Sequence, residues 1–208
     1  MRLILASSSP RRREILALLG LPFETIAPEF GETISLDRSA KEEVLEFALG
    51  KARSLAKNNP ESIVVASDTM ILISGEKLGK PSGIENARQM LRALSGKTHK
   101  ILTSVVILDG AGGPGLQTVE EVSVKMRPYS EVEIERYLAL NESLDKAGAY
   151  SIQGEGGALI ESIEGDYLAA VGLPLKPIAA YLASRGIRIP LNVEKFYAEK
   201  FFRNWRDF

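Results

Sequence analysis

The chain has no cysteine, and among its 208 residues there is a single histidine, His99. A disulfide framework, a thiolate zinc site and a cysteine nucleophile are thereby excluded, as is any centre that needs two imidazoles. No charge of one sign dominates either. The 26 Lys and Arg and 27 Asp and Glu are interspersed and leave a formal charge of −1, so the electrostatic footprint for a long polyanion is missing and nucleic acid is not an expected partner. No apolar run approaches the ~18 residues of a membrane span. The N-terminal MRLILASSSPRRR has too short an apolar run for a signal segment and carries its basic residues on the wrong side of it. These absences make a cytoplasmic protein without a membrane partner the expectation. No repeat, low-complexity tract or composition break marks a linker, and 45% hydrophobic content over this length suffices for one real core, read as a single domain over residues 1–208.

What is present alternates. The run Arg2 to Ala6 reads as a strand that a serine cluster and Pro10 terminate, with a helix from Pro10 to a glycine cap at Gly20. Ser39 and Glu42 form a capping box that opens a second helix, in which Val44, Leu45, Phe47, Ala48, Ala52 and Leu55 recur at helical spacing. Ser62 to Ile73 reads as a buried strand, GEKLGKP as a turn, and roughly Ile84 to Leu94 as a helix. His99 to Asp109 and Leu116 to Arg127 read as a hairpin around GAGGPG, and Ser130 with Glu133 is another capping box. A glycine-rich stretch, KAGAYSIQGEGG, leads to a strand near Ala158 to Ile163 and then to a helix from Leu173 to Ala183. Residues 189–208 form a peripheral C-terminal tail, and its aromatic, charged part from Val193 reads as a helix covering the domain or a neighbouring subunit. Early alternation followed by a hairpin predicts a mixed α/β fold.

Three constellations carry chemistry. SSSPRRR, Ser7 to Arg13, stands at a strand-to-helix junction, where free amides, hydroxyls and guanidinium forks suit a phosphate; an ordinary serine cap with solvated arginines is equally consistent. Neighbouring helical residues project about 100° apart, so at most two of the three arginines face one ligand, and Arg11 and Arg12 are favoured. Ser67-Asp68-Thr69 interrupts an apolar strand. A buried carboxylate costs several kcal/mol unless it is paired or metal-bound, which makes Asp68 a candidate metal ligand or general base, the alternative being a structural pair with Arg or Lys. Gly79-Lys80-Pro81 holds a lysine in a turn, but the glycine spacing is one residue short of a Walker loop and Pro81 stands where Ser or Thr is needed. Gly110, Gly112 and Gly115 fit GxGxxG by count, yet strand pattern follows rather than a helix. His99, at the start of an apolar strand, reads as a structural hydrogen-bonding residue.

LASSSPRRREIL, Glu32, Lys51-Ala52, ASDT, LGKP, LSGKTH, KAGAYSIQG and GDYLAAVGLPL, in this order from Leu5 to Leu175, resemble the Maf family of nucleotide pyrophosphatases. The resemblance implies a mixed α/β fold with a long curved sheet flanked by helices, similar to inosine triphosphatase-like folds, with two lobes around a cleft, often as a homodimer. It implies cleavage of a nucleoside triphosphate between its α and β phosphates with magnesium or manganese. By the same resemblance Asp68 activates water, Glu32 and Asp68 bind the metal, and Ser7, Arg12, Lys51 and Lys80 contact the triphosphate. Arg11, Thr69 and Gln153 match the positions that separate subgroups and resemble the branch acting on dTTP and UTP. A 7-methyl-GTP or other modified-nucleotide pyrophosphatase is the alternative within the family, and a nucleotide-binding regulator of cell division the alternative outside enzymology. PEFG before Glu32 departs from the family's acidic pattern, and the tail after Arg188 lies outside the resemblance.

Overall fold

A computed structural model of the chain describes residues 2–35, 37–110 and 113–208, with the backbone alone at 113 and 114. Ala111 and Gly112 of the glycine-rich hairpin lie outside the described residues; the segment that follows them is a strand. The elements run β1 (Arg2–Ala6), α1 (Pro10–Ala17), β2 (Glu24–Ile26), α2 (Ala40–Ala56), β3 (Ser62–Ile73), β4 (Glu76–Leu78), α3 (Ile84–Leu94), β5 (Thr98–Asp109), β6 (Gly113–Met126), α4 (Glu131–Leu138), β7 (Ile160–Glu164), α5 (Tyr167–Val171), α6 (Leu175–Ser184) and α7 (Val193–Glu199). Among the described residues no helix is long and apolar enough to cross a membrane.

The capping signals act as their chemistry demands. Ser39 and Glu42 close a reciprocal box at the start of α2, as Ser130 and Glu133 do at the start of α4, while Ser9 caps α1 through its hydroxyl. Three short elements escaped the periodicity: β2 and β4, each three residues long, and α5, five residues long and capped by Asp166. Three residues carry too little alternation to be recognised. The segment GEKLGKP therefore does more than turn the chain: Ser74 and Gly75 both take positive φ, 51° and 87°, and fold β4 back on β3.

Among the described residues seven strands form one mixed sheet in the order β2-β1-β3-β5-β6-β7, with β4 paired to β3. β1 runs parallel to β2 and β3, and the remaining pairs are antiparallel. Because successive side chains point to opposite faces, β1, β3 and β5 each feed two cores. Leu3, Leu5, Ile63, Val65, Ile71 and Val105 join α1, α3 and α6 on one face. Ile4, Ala6, Val64, Ala66 and Val106 meet Ala48, Ala52 and Leu55 of α2 on the other.

The long strand β3 positions the site. Its first half, Ser62 to Ala66, pairs with β1, and its end, Ile71 to Ile73, pairs with β4. Ser67 to Met70 fall in the gap between these two partners and are bonded to β5 alone. The polar triplet thus occupies the one stretch of β3 where a flank of the sheet is open.

Candidate active site

A cleft of about 630 Å³ opens at this gap, and it is lined by Ser7, Arg11, Arg12, Glu32, Lys51, Asp68, Thr69, Lys80 and Gln153, the nine residues singled out in the sequence. They come from six separate segments. The segment from the end of β1 into α1 supplies Ser7, Arg11 and Arg12, the loop before α2 supplies Glu32, α2 supplies Lys51, β3 supplies Asp68 and Thr69, the turn after β4 supplies Lys80, and the glycine-rich stretch supplies Gln153.

Strand alternation sorts the triplet. Asp68 faces α2, where the ammonium of Lys51 donates to its Oδ1 at 2.5 Å. The same Nζ lies 2.5 Å from Glu32 Oε1, so two carboxylates converge on one cationic nitrogen. Asp68 is 6% exposed. Burial pushes its carboxyl above the ordinary aspartate range, against the pull of Lys51 and Arg12. Glu32 goes the other way: burial pushes it up, but the hydrogen bond and charge of Lys51, joined by Lys80 and Arg12, leave it below the ordinary glutamate range. The pairing of Asp68 with a lysine, anticipated as the purely structural alternative, is present; that lysine itself lines the cleft and holds a second carboxylate.

Ser67 and Thr69 face the opposite side. Ser67 Oγ donates to the carbonyl of Gly172 at 2.9 Å, and Arg12 donates to that same carbonyl through Nε at 2.9 Å and to Thr69 Oγ1 through Nη2 at 3.2 Å. Burial holds the Arg12 guanidinium below its usual pKa, while Asp68 and Glu32 act to raise it. Gly172, at φ 128°, lies in the backbone region that favours glycine. At the start of α1, Ser7 Oγ accepts from the Ser9 amide at 3.1 Å, and Arg11 approaches Asp145 at 3.9 Å. Of the three arginines, Arg11 and Arg12 line the cleft while Arg13 borders a separate hollow beside Leu21 and Phe23, as the helical projection angle requires.

The far wall comes from the glycine-rich stretch, tied to the Lys80 turn by the Gly148 amide, which donates to the Gly79 carbonyl at 3.1 Å. Gln153 projects from this wall with its Nε2 buried and without a hydrogen-bond partner. A buried amide donor costs free energy until something accepts from it. His99 lies behind the wall, its Nε2 2.8 Å from the hydroxyl of Tyr150, and burial depresses its pKa to about 4. Sequence reasoning missed Asp145, Lys146 and Gly172 as lining residues. Lys146 and Gly172 stood inside the motifs KAGAYSIQG and VGLPL, but nothing in either motif distinguished them from turn residues.

Among the described residues no group of three or more His, Cys, Asp or Glu is gathered as a metal cage. The cations at the cleft, Arg11, Arg12, Lys51, Lys80 and Lys146, outnumber the carboxylates Glu32, Asp68 and Asp145, which suits a polyanionic ligand.

A dTTP/UTP pyrophosphatase of Bacillus cereus is 42% identical over 188 residues, covering 90% of this chain and 97% of its own length, and the dTTP/UTP pyrophosphatase of Bacillus anthracis matches to the same extent. A solved nucleoside-triphosphatase, a dITP/XTP pyrophosphatase from Mycobacterium abscessus, aligns over 89% of this chain and 96% of its own with 16% identity, at a TM-score of 0.44. The sequence model of the family described as Maf-like protein matches residues 2–185, from the first residue of β1 to the end of α6, and the chain belongs to the Maf family.

Proposed function

We propose that the chain hydrolyses dTTP and UTP to the nucleoside monophosphate and pyrophosphate. One observation carries the reading: two carboxylates, Asp68 and Glu32, converge on a single nitrogen inside a cleft that also gathers Arg11, Arg12 and Lys80. The names of the 42% identical relatives supply the substrates, and the buried, unpartnered amide of Gln153 is chemically apt for the donor and acceptor edge of a pyrimidine.

In this reading Asp68 takes a proton from water as the water oxygen forms its bond to the α-phosphorus and the bond from that phosphorus to the bridging oxygen breaks. Burial raises the proton affinity of Asp68 and so suits it to the task of a base. Arg12, Lys51 and Lys80 neutralise the departing pyrophosphate, and Ser7 with the first amides of α1 hydrogen-bonds phosphate oxygens. The donor set fits a divalent ion, since Glu32 and Asp68 already converge on one cation, the Lys51 ammonium, and carboxylate oxygens are donors that magnesium or manganese accepts. These two residues would hold the ion, which when bound would supply Lewis-acid polarisation and charge neutralisation.

The test is turnover of purified protein with magnesium or manganese on canonical and modified nucleoside triphosphates, with products resolved. Monophosphate plus pyrophosphate from dTTP and UTP is expected. Diphosphate plus orthophosphate would overturn the site of attack, cleavage of a modified purine nucleotide alone would overturn the pyrimidine assignment, and inactivity throughout would overturn the enzyme reading.

A further inference from the structure

The family match ends at Arg185, yet the residues beyond it reach the wall of the cleft. After α7 the chain turns through Lys200 and Asn204, both left-handed, at φ 49° and 58°. Trp205 then stacks on Tyr167, with ring centroids 5.2 Å apart and planes inclined by 12°, and Tyr197 packs edge-on against Trp205 at 5.0 Å. Two hydrogen bonds fasten this cluster to the start of α5: Tyr167 donates to the carbonyl of Arg203 at 2.5 Å, and Tyr197 donates to the Asp166 carboxylate at 3.0 Å. The fixed object at the end of this scaffold is the side chain of Asn204. Its Nδ2 donates to the carbonyl of Ile152 at 3.0 Å and to that of Gly154 at 3.3 Å. These carbonyls flank Gln153. A Cβ on Gly157 would come within 2.9 Å of the same Nδ2, so the segment is shaped to admit the amide.

We propose that Asn204 is a positioning residue for Gln153 and that, through it, the C-terminal segment sets discrimination between nucleobases. The inference rests on the reading of Gln153 as the base contact. A side chain whose buried amide nitrogen has no partner takes its direction from its backbone, and here one amide group holds the carbonyls of the residues on both sides of Gln153, Ile152 and Gly154, from an aromatic cluster. Phosphate contacts lie on other elements, so loosening this bond affects selection of the base more than the chemistry.

The experiment compares kcat and KM for UTP and CTP, which differ in one pyrimidine edge, in Gln153→Ala, Asn204→Gly, Asn204→Asp and the Gln153→Ala/Asn204→Gly double variant. Glycine accepts the left-handed backbone and deletes the amide; aspartate keeps the shape and deletes the donor. Each single variant is expected to narrow the UTP to CTP ratio of kcat/KM by about tenfold, mainly through KM, as loss of one hydrogen-bonded constraint allows. The double variant is expected to be no less selective than Gln153→Ala alone, because both changes act through one contact. Equal losses on UTP and CTP in the Asn204 variants, or additive losses in the double variant, would overturn the role of Asn204 and leave Gln153 standing. An unchanged ratio in Gln153→Ala would remove the base contact and the role of Asn204 with it.

Discussion

Glu43 of α2 and Lys77 of β4 form an ion pair with 2.7 Å between Oε2 and Nζ, and the Glu43 side chain is completely covered. Both carboxylate oxygens also accept from the amide of Ser35 at 3.1 Å, and Lys77 donates to the Ser35 carbonyl at 2.6 Å. Ser35 ends the loop that carries Glu32, and Lys77 precedes the turn that carries Lys80, so one buried carboxylate holds two loops of the cleft against α2. Phe30 adds an apolar fastener to the first loop, since its ring lies over Gly50 where no Cβ would fit.

The first prediction follows from that pair. Glu43→Gln keeps the size but leaves the Lys77 ammonium unpaired, a change expected to cost about 3 kcal/mol of stability. Urea unfolding checks it, together with kcat/KM, which should fall because Glu32 and Lys80 lose their common support. Unchanged stability would show that the pair is not a clamp.

Asp68→Asn removes the base while preserving shape. Turnover is expected to fall by about a hundredfold or more, with KM moving little. Steady-state kinetics on UTP decides this, and full retention of kcat would remove Asp68 from the chemistry.

Glu32→Gln tests the metal assignment separately from the base. The half-saturating concentration of magnesium should rise about tenfold or more, because a ligand that approaches the site from a loop is lost while Asp68 remains. Titration of the metal by calorimetry gives the result without relying on turnover. An unaltered affinity would reassign Glu32 to a purely structural partner of Lys51.

The pH dependence of stability has a marker in His99, whose pKa burial lowers from 6.5 to about 4. Between these values the unfolded chain binds the proton more readily than the folded one, so this histidine's contribution to stability is full above pH 6.5 and is lost as the pH falls toward 4, by about 3 kcal/mol over that interval. His99→Gln, which can still bond Tyr150, should flatten that limb of the urea-midpoint profile. A profile identical to that of the parent protein would mean that His99 charges freely in the folded state.

Local signals were legible because they act over a few residues. The caps at Ser39 and Ser130, the span of β3, the limits of α3 and the hairpin of β5 and β6 follow from side-chain hydrogen bonds, alternation and turn chemistry that each segment carries within itself. The polar triplet in β3 was visible for the same reason, as a break in an apolar run; Ser7, Arg11, Arg12 and Lys80 stood out in the SSSPRRR and Gly79-Lys80-Pro81 segments, and the family motifs supplied Glu32, Lys51 and Gln153. What tertiary structure alone decided is which distant groups meet. No local rule announces that Arg12 reaches the carbonyl of Gly172, that Glu43 clamps Ser35 to Lys77, or that Asn204 grips both sides of Gln153. These contacts depend on where the sheet order and the gap between β1 and β4 place whole elements, and a side chain such as Glu43 or Asn204 looks like any solvated polar residue until packing removes its water.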